Sequence, residues 1–288
     1  MLTQRQRLSF LLPFILAVVP FVLWPALFGL AGSFTNYAPF QTTPLRFVGL
    51  TNYLQILRHS DFQVAIRNAI LFTAVTVVVE LLLGLTVAYA LRKPFRGRGI
   101  VRFILLMPWL VSPVANGVMW HFLVNPYVGL INFWPALFSL PRLADPFTSG
   151  LALPMVMVIE IWRKAPLAGF LILPGLLTIP GVQWDIADLE GMSLVARLRH
   201  IVLPRLRLLM LTIALLLIGD ALGTAESILV LTGGGPGSAT MTPGLYSYEQ
   251  AFHAFDWSSG STSAWLIAAA VLLVGVGYLR LARREALP

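Results

Sequence analysis

Residues Ile179–Pro204 read IPGVQWDIADLEGMSLVARLRHIVLP, a polar stretch that lies between two long apolar runs. The runs are Leu151–Leu177 and Leu208–Leu231. Each exceeds the roughly 20 residues that a helix needs to cross the hydrocarbon core of a bilayer. The polar stretch itself keeps apolar residues at helical spacing, which a simple connection between two spans does not require. We therefore predict that a structured polar loop separates two membrane helices.

The composition places the whole chain in a membrane. Hydrophobic residues make up 58% and charged residues 11% of the 288 positions, whereas about 25% of residues are charged in a typical soluble domain. We predict an all-α polytopic membrane protein with a single domain over residues 1–288. Its six transmembrane helices are expected at about 8–31, 69–91, 103–124, 151–177, 208–231 and 263–281.

The distribution of Lys and Arg predicts the orientation, because cytoplasmic loops of membrane proteins carry an excess of these residues. With both termini in the cytoplasm, fourteen of the 20 basic residues fall inside: Arg5, Arg7, Arg92, Lys93, Arg96, Arg98, Arg102, Arg197, Arg199, Arg205, Arg207, Arg280, Arg283 and Arg284. Four fall outside, and two lie within a span: Arg46, Arg58, Arg67 and Arg142, then Arg163 and Lys164. This bias explains the net charge of +8 without nucleic acid as a partner.

The loop at 179–204 is predicted to fold as two short amphipathic helices. Pro180 ends the fourth span, since proline lacks a backbone donor and clashes with the preceding turn. Gly191 permits a sharp turn with positive φ, and Ser193 is a suitable N-cap for the second helix. Pro204 is expected to stop that helix just before the fifth span. By periodicity alone, the loop is either an interfacial amphipathic segment resting on lipid headgroups or a docking element.

The spacing within this loop resembles the EAA loop of ABC importer permeases. The family pattern is E-A-A, three residues, G, nine residues, then I-x-L-P. Here Gly191 and the run Ile201–Pro204 keep that spacing, while Asp185 replaces Glu and Ile186 replaces the first Ala. Other stretches resemble carbohydrate-type permeases of this family: Ser33–Tyr37, Phe47–Tyr53, Arg96–Gly99 and Met107–Trp109. The segment that begins with Leu231–Gly237 resembles the first permease of maltose-type or glycerol-phosphate-type pairs.

The resemblance implies a translocating subunit of an ATP-driven importer in a bacterial or archaeal cell (inner) membrane. Its solute would be a sugar or a related polyol or glycerol-phosphate-like compound. The implied partners are a second permease, two copies of an ATPase that hold ATP and Mg, and an extracytoplasmic solute-binding protein. The coupling residues expected from the resemblance and the loop pattern are Asp185, Ile186, Ala187, Glu190, Gly191, Leu198, Ile201, Leu203 and Pro204.

Ionisable residues inside the predicted spans form a second candidate site. A charge at a helix centre costs about 2.5–3.5 kcal/mol on insertion scales, so such residues usually face a cavity or a partner. The candidate translocation path contains Glu160, Arg163, Lys164, Asp220, Glu226 and Trp162. The alternative is that these residues form structural ion pairs or contact the second permease.

The chain shows no pattern typical of an enzyme. The glycine-rich segment Gly233–Ser238 lacks the Lys of a phosphate-binding loop, so we expect ATP to bind to another polypeptide. The absence of cysteine excludes disulfides, thiolate metal sites and a cysteine nucleophile. We expect no catalytic residue, no metal and no cofactor on this chain. The alternative function is a self-sufficient secondary transporter or channel, although no matching inverted halves are visible in the sequence.

Overall fold

The computed structural model describes residues 12–14, 16–40, 42, 44–138, 141, 143–148 and 150–286. These residues are largely helical, and their single β-bridge joins Thr35 to Phe47. The α-helices are α1 (Trp24–Ser33), α2 (Thr51–Arg58), α3 (Ser60–Ala90), α4 (Arg98–Leu110), α5 (Pro113–Leu123), α6 (Phe133–Leu137), α7 (Ala152–Leu177), α8 (Gly181–Leu189), α9 (Leu194–Arg197), α10 (Leu203–Gly223), α11 (Glu226–Thr232), α12 (Pro243–Tyr248) and α13 (Trp257–Ala286). The all-α prediction is confirmed.

The described residues contain between four and six helical stretches that could cross a bilayer, and the six predicted spans stay a prediction. Four helical stretches are long and apolar enough to cross a bilayer: Leu12–Ser33, Ser60–Ala90, Leu194–Gly223 and Trp257–Arg283. Two bent helix pairs, α4 with α5 and α7 with α8, raise the number to six if each pair is one span. Residues 8–11 of the first predicted span lie outside the described residues, as do Arg5, Arg7 and Arg142 of the charge count.

The third predicted span, 103–124, is not one continuous helix in the structure. It is divided between α4 and α5, which meet at an angle of 94°. Val111 has an extended backbone after α4 ends, and so does Ser112, which N-caps α5 through its hydroxyl. The residue before a proline is disfavoured in helical conformation, so Pro113 starts a new helix here.

The fifth predicted span, 208–231, is also divided. α10 ends at Gly223, and Thr224 adopts an extended backbone before α11 begins. The Thr224 carbonyl oxygen accepts a hydrogen bond of 2.8 Å from the Thr242 hydroxyl. At the break, the Thr224 carbonyl therefore bonds to a side chain from a later segment of the chain and not to a backbone nitrogen of the same helix.

The described residues group into two compact units. The larger unit comprises Val64–Leu245 and Ala270–Pro288. In it α3 approaches α7 closely at Gly84, where an added Cβ would lie 2.8 Å from the Gly169 backbone nitrogen. Its apolar core continues to the C-terminal ends of these two helices and the start of α10, among Leu85, Ala88, Leu91, Ile172, Leu176, Ile179, Trp184, Val202 and Leu206. This core carries both candidate sites.

The smaller unit comprises Met1–Gln63 and Tyr246–Ala269. Within it the Asn52 amide donates to the carbonyl oxygens of Ser33 and Thr35, at 2.9 and 2.7 Å. The Ser258 hydroxyl and backbone nitrogen both donate to the Tyr37 carbonyl at 3.0 Å. These contacts order the connection after α1. The single domain over residues 1–288 stays a prediction.

Candidate functional site

The two helices of the 179–204 loop meet at Gly191 with the predicted geometry. Pro180 precedes the first turn of α8 as its N-cap residue. Gly191 follows α8 with a φ of +64°, and the Met192 backbone nitrogen donates to the Ala187 carbonyl at 2.9 Å. This is the left-handed termination that favours glycine. The Ser193 hydroxyl then accepts from the Ala196 backbone nitrogen and caps α9.

Arg197 ties the end of α8 to the start of α9. Its Nε donates to the Met192 carbonyl at 2.8 Å, and its Nη1 forms an ion pair with the Asp188 carboxylate. The carbonyls at a helix C-terminus lack partners within the helix, so a guanidinium placed there satisfies them and opposes their partial negative charge. The turn at Gly191 is therefore held by side chains as well as by backbone geometry.

The two faces of α8 differ in burial. Ala187 is fully buried and Trp184 nearly so. The apolar stripe predicted from periodicity, Val182, Ile186 and Leu189, points the other way and is exposed, with Leu189 at 88%. We call these three residues the α8 apolar stripe. Three apolar side chains on the exposed face of a helix in a polar loop offer a surface for lipid headgroups or for another molecule.

Pro204 does not stop the second helix, contrary to the prediction. Leu194–Gly223 runs as one long helix, and a π-helical turn, Leu198–Val202, lies just before the proline. The Leu203 backbone nitrogen donates to the Leu198 carbonyl in this wider turn. The changed hydrogen-bond register accommodates Pro204, which has no donor of its own. The second helix of the loop, α9, is therefore continuous with α10.

The remaining predicted coupling residues occupy both surface and interior. Asp185 and Glu190 are exposed on α8 and at its C-cap. Leu198 and Ile201 are partly buried against the core of the larger unit. Leu203 and Pro204 are exposed at the start of α10.

The sequence did not reveal that Trp184 and Arg92 are in contact. The Arg92 guanidinium lies over the Trp184 ring at 3.4 Å from the centroid, and over the Tyr89 ring at 5.1 Å. Burial lowers the pKa of Arg92 from its usual value, while Tyr89 and Asp188 act in the opposite direction. A cation over an aromatic face contributes about 0.5–2 kcal/mol, with the larger values in desolvated settings. The only signal in the sequence was a tryptophan among polar neighbours.

The intramembrane charges form a compact cluster. Glu160 Oε2 lies 2.9 Å from Arg163 Nη2 and 3.0 Å from Lys164 Nζ. Lys164 Nζ also pairs with the Asp220 carboxylate on α10. Glu160 is fully buried, whereas 56% of the Asp220 side chain is exposed. The cluster therefore runs from the core of the larger unit to its surface, and two cations balance two carboxylates.

Two predicted path residues take no part in this network. Glu226 is exposed at the first turn of α11. Trp162 is partly exposed and contacts the edge of Trp120, with ring centroids 5.4 Å apart. Glu80 on α3, a buried carboxyl in the second predicted span, interacts electrostatically with Lys164.

Among the described residues, no group of three His, Asp or Glu side chains is arranged to hold a metal ion. The loop at 179–204 presents the exposed α8 apolar stripe and is continuous with α10. The cluster offers carboxylate, ammonium and guanidinium groups within a largely apolar helix bundle.

Curated relatives identify the family, although no family model matches the chain. The chain is 32% identical over 240 residues to the trehalose/maltose transport system permease protein MalF of Thermococcus litoralis. The alignment covers 82% of this chain and 80% of that protein. This chain belongs to the permease family of sugar ABC transporters. The permease is thus a transport subunit of the membrane.

Further relatives match the permease over nearly its full length. The trehalose transport system permease protein SugA of Mycobacterium tuberculosis is 28% identical, covering 96% of this chain and 89% of that protein. The sn-glycerol-3-phosphate transport system permease protein UgpA of Yersinia pestis is 26% identical, covering 95% and 92%. A chain of a bacterial alginate ABC transporter, solved with an alginate pentasaccharide-bound periplasmic protein, has the same fold. Its TM-score is 0.81 at 18% identity, covering 96% of this chain and 93% of that one.

Proposed function

We propose that the permease imports a sugar, or a related polyol or glycerol-phosphate-like solute, and takes its energy from a separate ATPase. The names of its relatives support this solute class, since they include trehalose, maltose and sn-glycerol-3-phosphate. The α8 apolar stripe supports the proposal that a separate ATPase supplies the energy. It is exposed on a helix whose opposite face is anchored by Trp184 and Ala187.

In this proposal the α8 apolar stripe seats in a groove of the ATPase. Amphipathic helices bind apolar grooves through side chains at positions i, i+4 and i+7, which is the spacing of Val182, Ile186 and Leu189. Because α9 continues through the π-helical turn into α10, a displacement of the loop moves the fifth span as a lever. ATP-driven closure of two ATPase copies then turns the spans from inward-open to outward-open.

The charged cluster lies where such a movement acts. Glu160 and Lys164 are on α7, and Asp220 is on α10, the helix that the coupling loop extends. A rotation of α10 would separate Asp220 from Lys164 and expose polar groups to a solute. Sugar hydroxyls both donate and accept hydrogen bonds, so carboxylates and an ammonium group suit them.

A matched pair of substitutions tests the docking surface. Leu189→Asp places a charge on the α8 apolar stripe, and Leu50→Asp places the same charge at the N-cap of α2, where aspartate is tolerated. The permease is co-expressed with its second permease and ATPase, and the ATPase retained on the purified complex is quantified. We expect a loss on the order of tenfold for Leu189→Asp, since central apolar anchors dominate interfaces. Equal retention in both variants would refute the docking proposal.

Transport energetics separate the importer from a self-sufficient transporter. Uptake of labelled maltose, trehalose and glycerol 3-phosphate is measured in proteoliposomes containing the whole complex and a solute-binding protein. We expect uptake of one of these solutes to require internal ATP and to be insensitive to proton and sodium gradients. Gradient-driven uptake by the permease alone would instead establish a secondary transporter.

The proposed orientation is also testable, because the chain contains no cysteine. Lys93 lies in the connection between α3 and α4, and Tyr127 lies in the connection after α5. Both side chains are exposed. In intact cells a membrane-impermeant maleimide should label Tyr127→Cys and leave Lys93→Cys unlabelled until the membrane is broken. The reverse pattern would place both termini outside.

A further inference from the structure

Helix α8, which we call the coupling helix because it would dock to the ATPase, is joined to the membrane helices in two different ways. α8 follows α7 after a short connection and leads through Gly191 into α9 and α10, so the chain itself links it to the fourth and fifth spans. It has no such link to α3, the second span. Contact with α3 is made through side chains, and the aromatic and cationic group of Trp184, Arg92 and Tyr89 provides it.

The α3 side of this contact is itself held firmly. Tyr89 lies in the last turn of α3, and its ring meets the Trp184 ring edge-on at 6.1 Å between centroids. Arg92 follows directly after the helix. The Arg98 guanidinium donates to the carbonyl oxygens of Leu91 and Arg92, so it caps the helix end on which Arg92 stands.

The Trp184 side of the contact is equally constrained. Only 8% of its surface is exposed, and it belongs to the core that includes Leu91, Ile179 and Val202. Its indole is therefore buried against the inner ends of three membrane helices, and Arg92 covers the ring face. An aromatic ring that is packed on one side and covered by a cation on the other has little room to move relative to its neighbours, so it transmits their displacement.

We infer that Trp184 and Arg92 form a clamp that makes the inner end of α3 follow every displacement of the coupling helix. This inference rests on the proposed docking of α8 to an ATPase. Trp184 and Arg92 are positioning residues, because neither touches the solute path or the exposed face of α8. Through the clamp, a displacement of α8 by the ATPase reaches the second span as well as the fourth and fifth spans.

Spin labels at two flanking positions test the clamp. Gly181→Cys, at the first residue of α8, adds a side chain that meets nothing within 4 Å, and Lys93→Cys is exposed just after the clamp residue Arg92. Nitroxides at both positions leave the clamp and the α8 apolar stripe intact. The distance between them is measured in the assembled complex by pulsed electron paramagnetic resonance, first without nucleotide and then trapped with ATP and vanadate.

The clamp predicts one distance in both states for the parental protein. In Trp184→Leu, which lacks the aromatic face, and in Arg92→Gln, which lacks the cation, the distance should change on trapping by about 2 Å or more, the scale of helix shifts in switching proteins. Trp184→Phe and Arg92→Lys keep an aromatic face and a cation and should behave like the parent. If Trp184→Leu and Arg92→Gln both keep the parental distance in both states, the clamp is refuted.

Failure of the clamp is distinguishable from failure of the proposed docking. If α8 does not dock to an ATPase, the parental complex traps no nucleotide with vanadate and the ATPase does not co-purify. If docking is right and the clamp is wrong, trapping succeeds and the two distances stay equal in every variant. Arg92→Gln keeps the test decisive should Trp184→Leu fail to assemble, since Arg92 is only partly buried and its replacement opens no core cavity.

Discussion

The loop at 179–204 and the charged cluster of α7 place residues in contrasting environments. α8 exposes three apolar side chains at the surface, whereas α7 buries a carboxylate and two cations among apolar helices. The charges of α7 are paired within the same chain, at 2.9 and 3.0 Å from Glu160. The apolar stripe of α8 is covered by none of the described residues. The charges of the cluster are therefore paired within the chain, while the proposed function of the loop requires a partner.

This difference sets how each region responds to substitution. Breaking a buried ion pair leaves an uncompensated charge in a medium of low dielectric constant, and the loss appears in the stability of the chain itself. A change on the exposed stripe costs the isolated chain little and appears only when the partner is present. Stability and assembly measured on the same variants therefore distinguish the two regions.

The largest effect on stability is expected from Glu160→Gln. It leaves Arg163 without its carboxylate and Lys164 with one partner instead of two. We expect a loss of about 3–5 kcal/mol in the free energy of unfolding, measured by thermal or denaturant unfolding of the purified permease in detergent. The control is Glu226→Gln, the same change at an exposed carboxylate. Equal stability of the two variants would show that the cluster is not a closed ion-pair network.

Gly191→Pro should have the next largest effect, and it acts on the loop. Proline cannot adopt the positive φ of this position, and its fixed φ costs about 3 kcal/mol where the backbone cannot accommodate it. We expect the variant to insert in the membrane but to lose solute uptake. Gly191→Asn is the matched control, because asparagine tolerates left-handed backbone and should keep most uptake. Normal uptake by Gly191→Pro would contradict the turn's role in coupling.

Arg197→Gln should have a smaller effect on the loop. It removes the ion pair with Asp188 and the hydrogen bond to the Met192 carbonyl. Hydrogen bonds to charged groups contribute about 1.5–3 kcal/mol, and exposed ion pairs less. We expect faster hydrogen exchange of the backbone amides around Gly191, with α7 unchanged as the internal reference. Arg199→Gln, the same change two residues further along, should leave these exchange rates as they are.

The smallest effect is expected from Glu80→Gln. Arg163 and Lys164 are already balanced by Glu160 and Asp220, so a neutral amide of the same size fits the charge count of the cluster. Among the described residues, Glu80 forms no ion pair within 4.0 Å. We expect the free energy of unfolding to change by less than about 1 kcal/mol. A loss as large as that of Glu160→Gln would mean that Glu80 carries a charge on which the cluster depends.

The local geometry of the loop was predictable because it depends on neighbouring residues. Gly191, Ser193 and Pro180 act on the backbone within one or two turns, and all three behave as their residue types require. The prediction that Pro204 stops the second helix was wrong, because the π-helical turn before it accommodates the proline within one continuous helix. The breaks within the third and fifth predicted spans were not foreseen, because a hydropathy profile gives the length of an apolar run and not the position of a bend within it.

The charged cluster was only half predictable. Glu160, Arg163 and Lys164 lie within one helical turn of one another, so their pairing follows from spacing. Asp220 and Glu80 lie on other helices, and nothing in their local sequence shows which of them meets Lys164 through an ion pair. Glu226 was predicted with the cluster from its polarity alone, and the break at Thr224 places it at the start of a separate helix, where its side chain is exposed.

The sequence by itself determined the membrane character of the permease, the approximate positions of its helices and the turn at Gly191. These follow from composition, apolar length and backbone conformational preference, all of which are local. Only the tertiary structure decided that Arg92 covers Trp184 and that Asp220 pairs with Lys164. These contacts join residues far apart in the chain, and they exist because helix packing brings α3, α7 and α10 around one core.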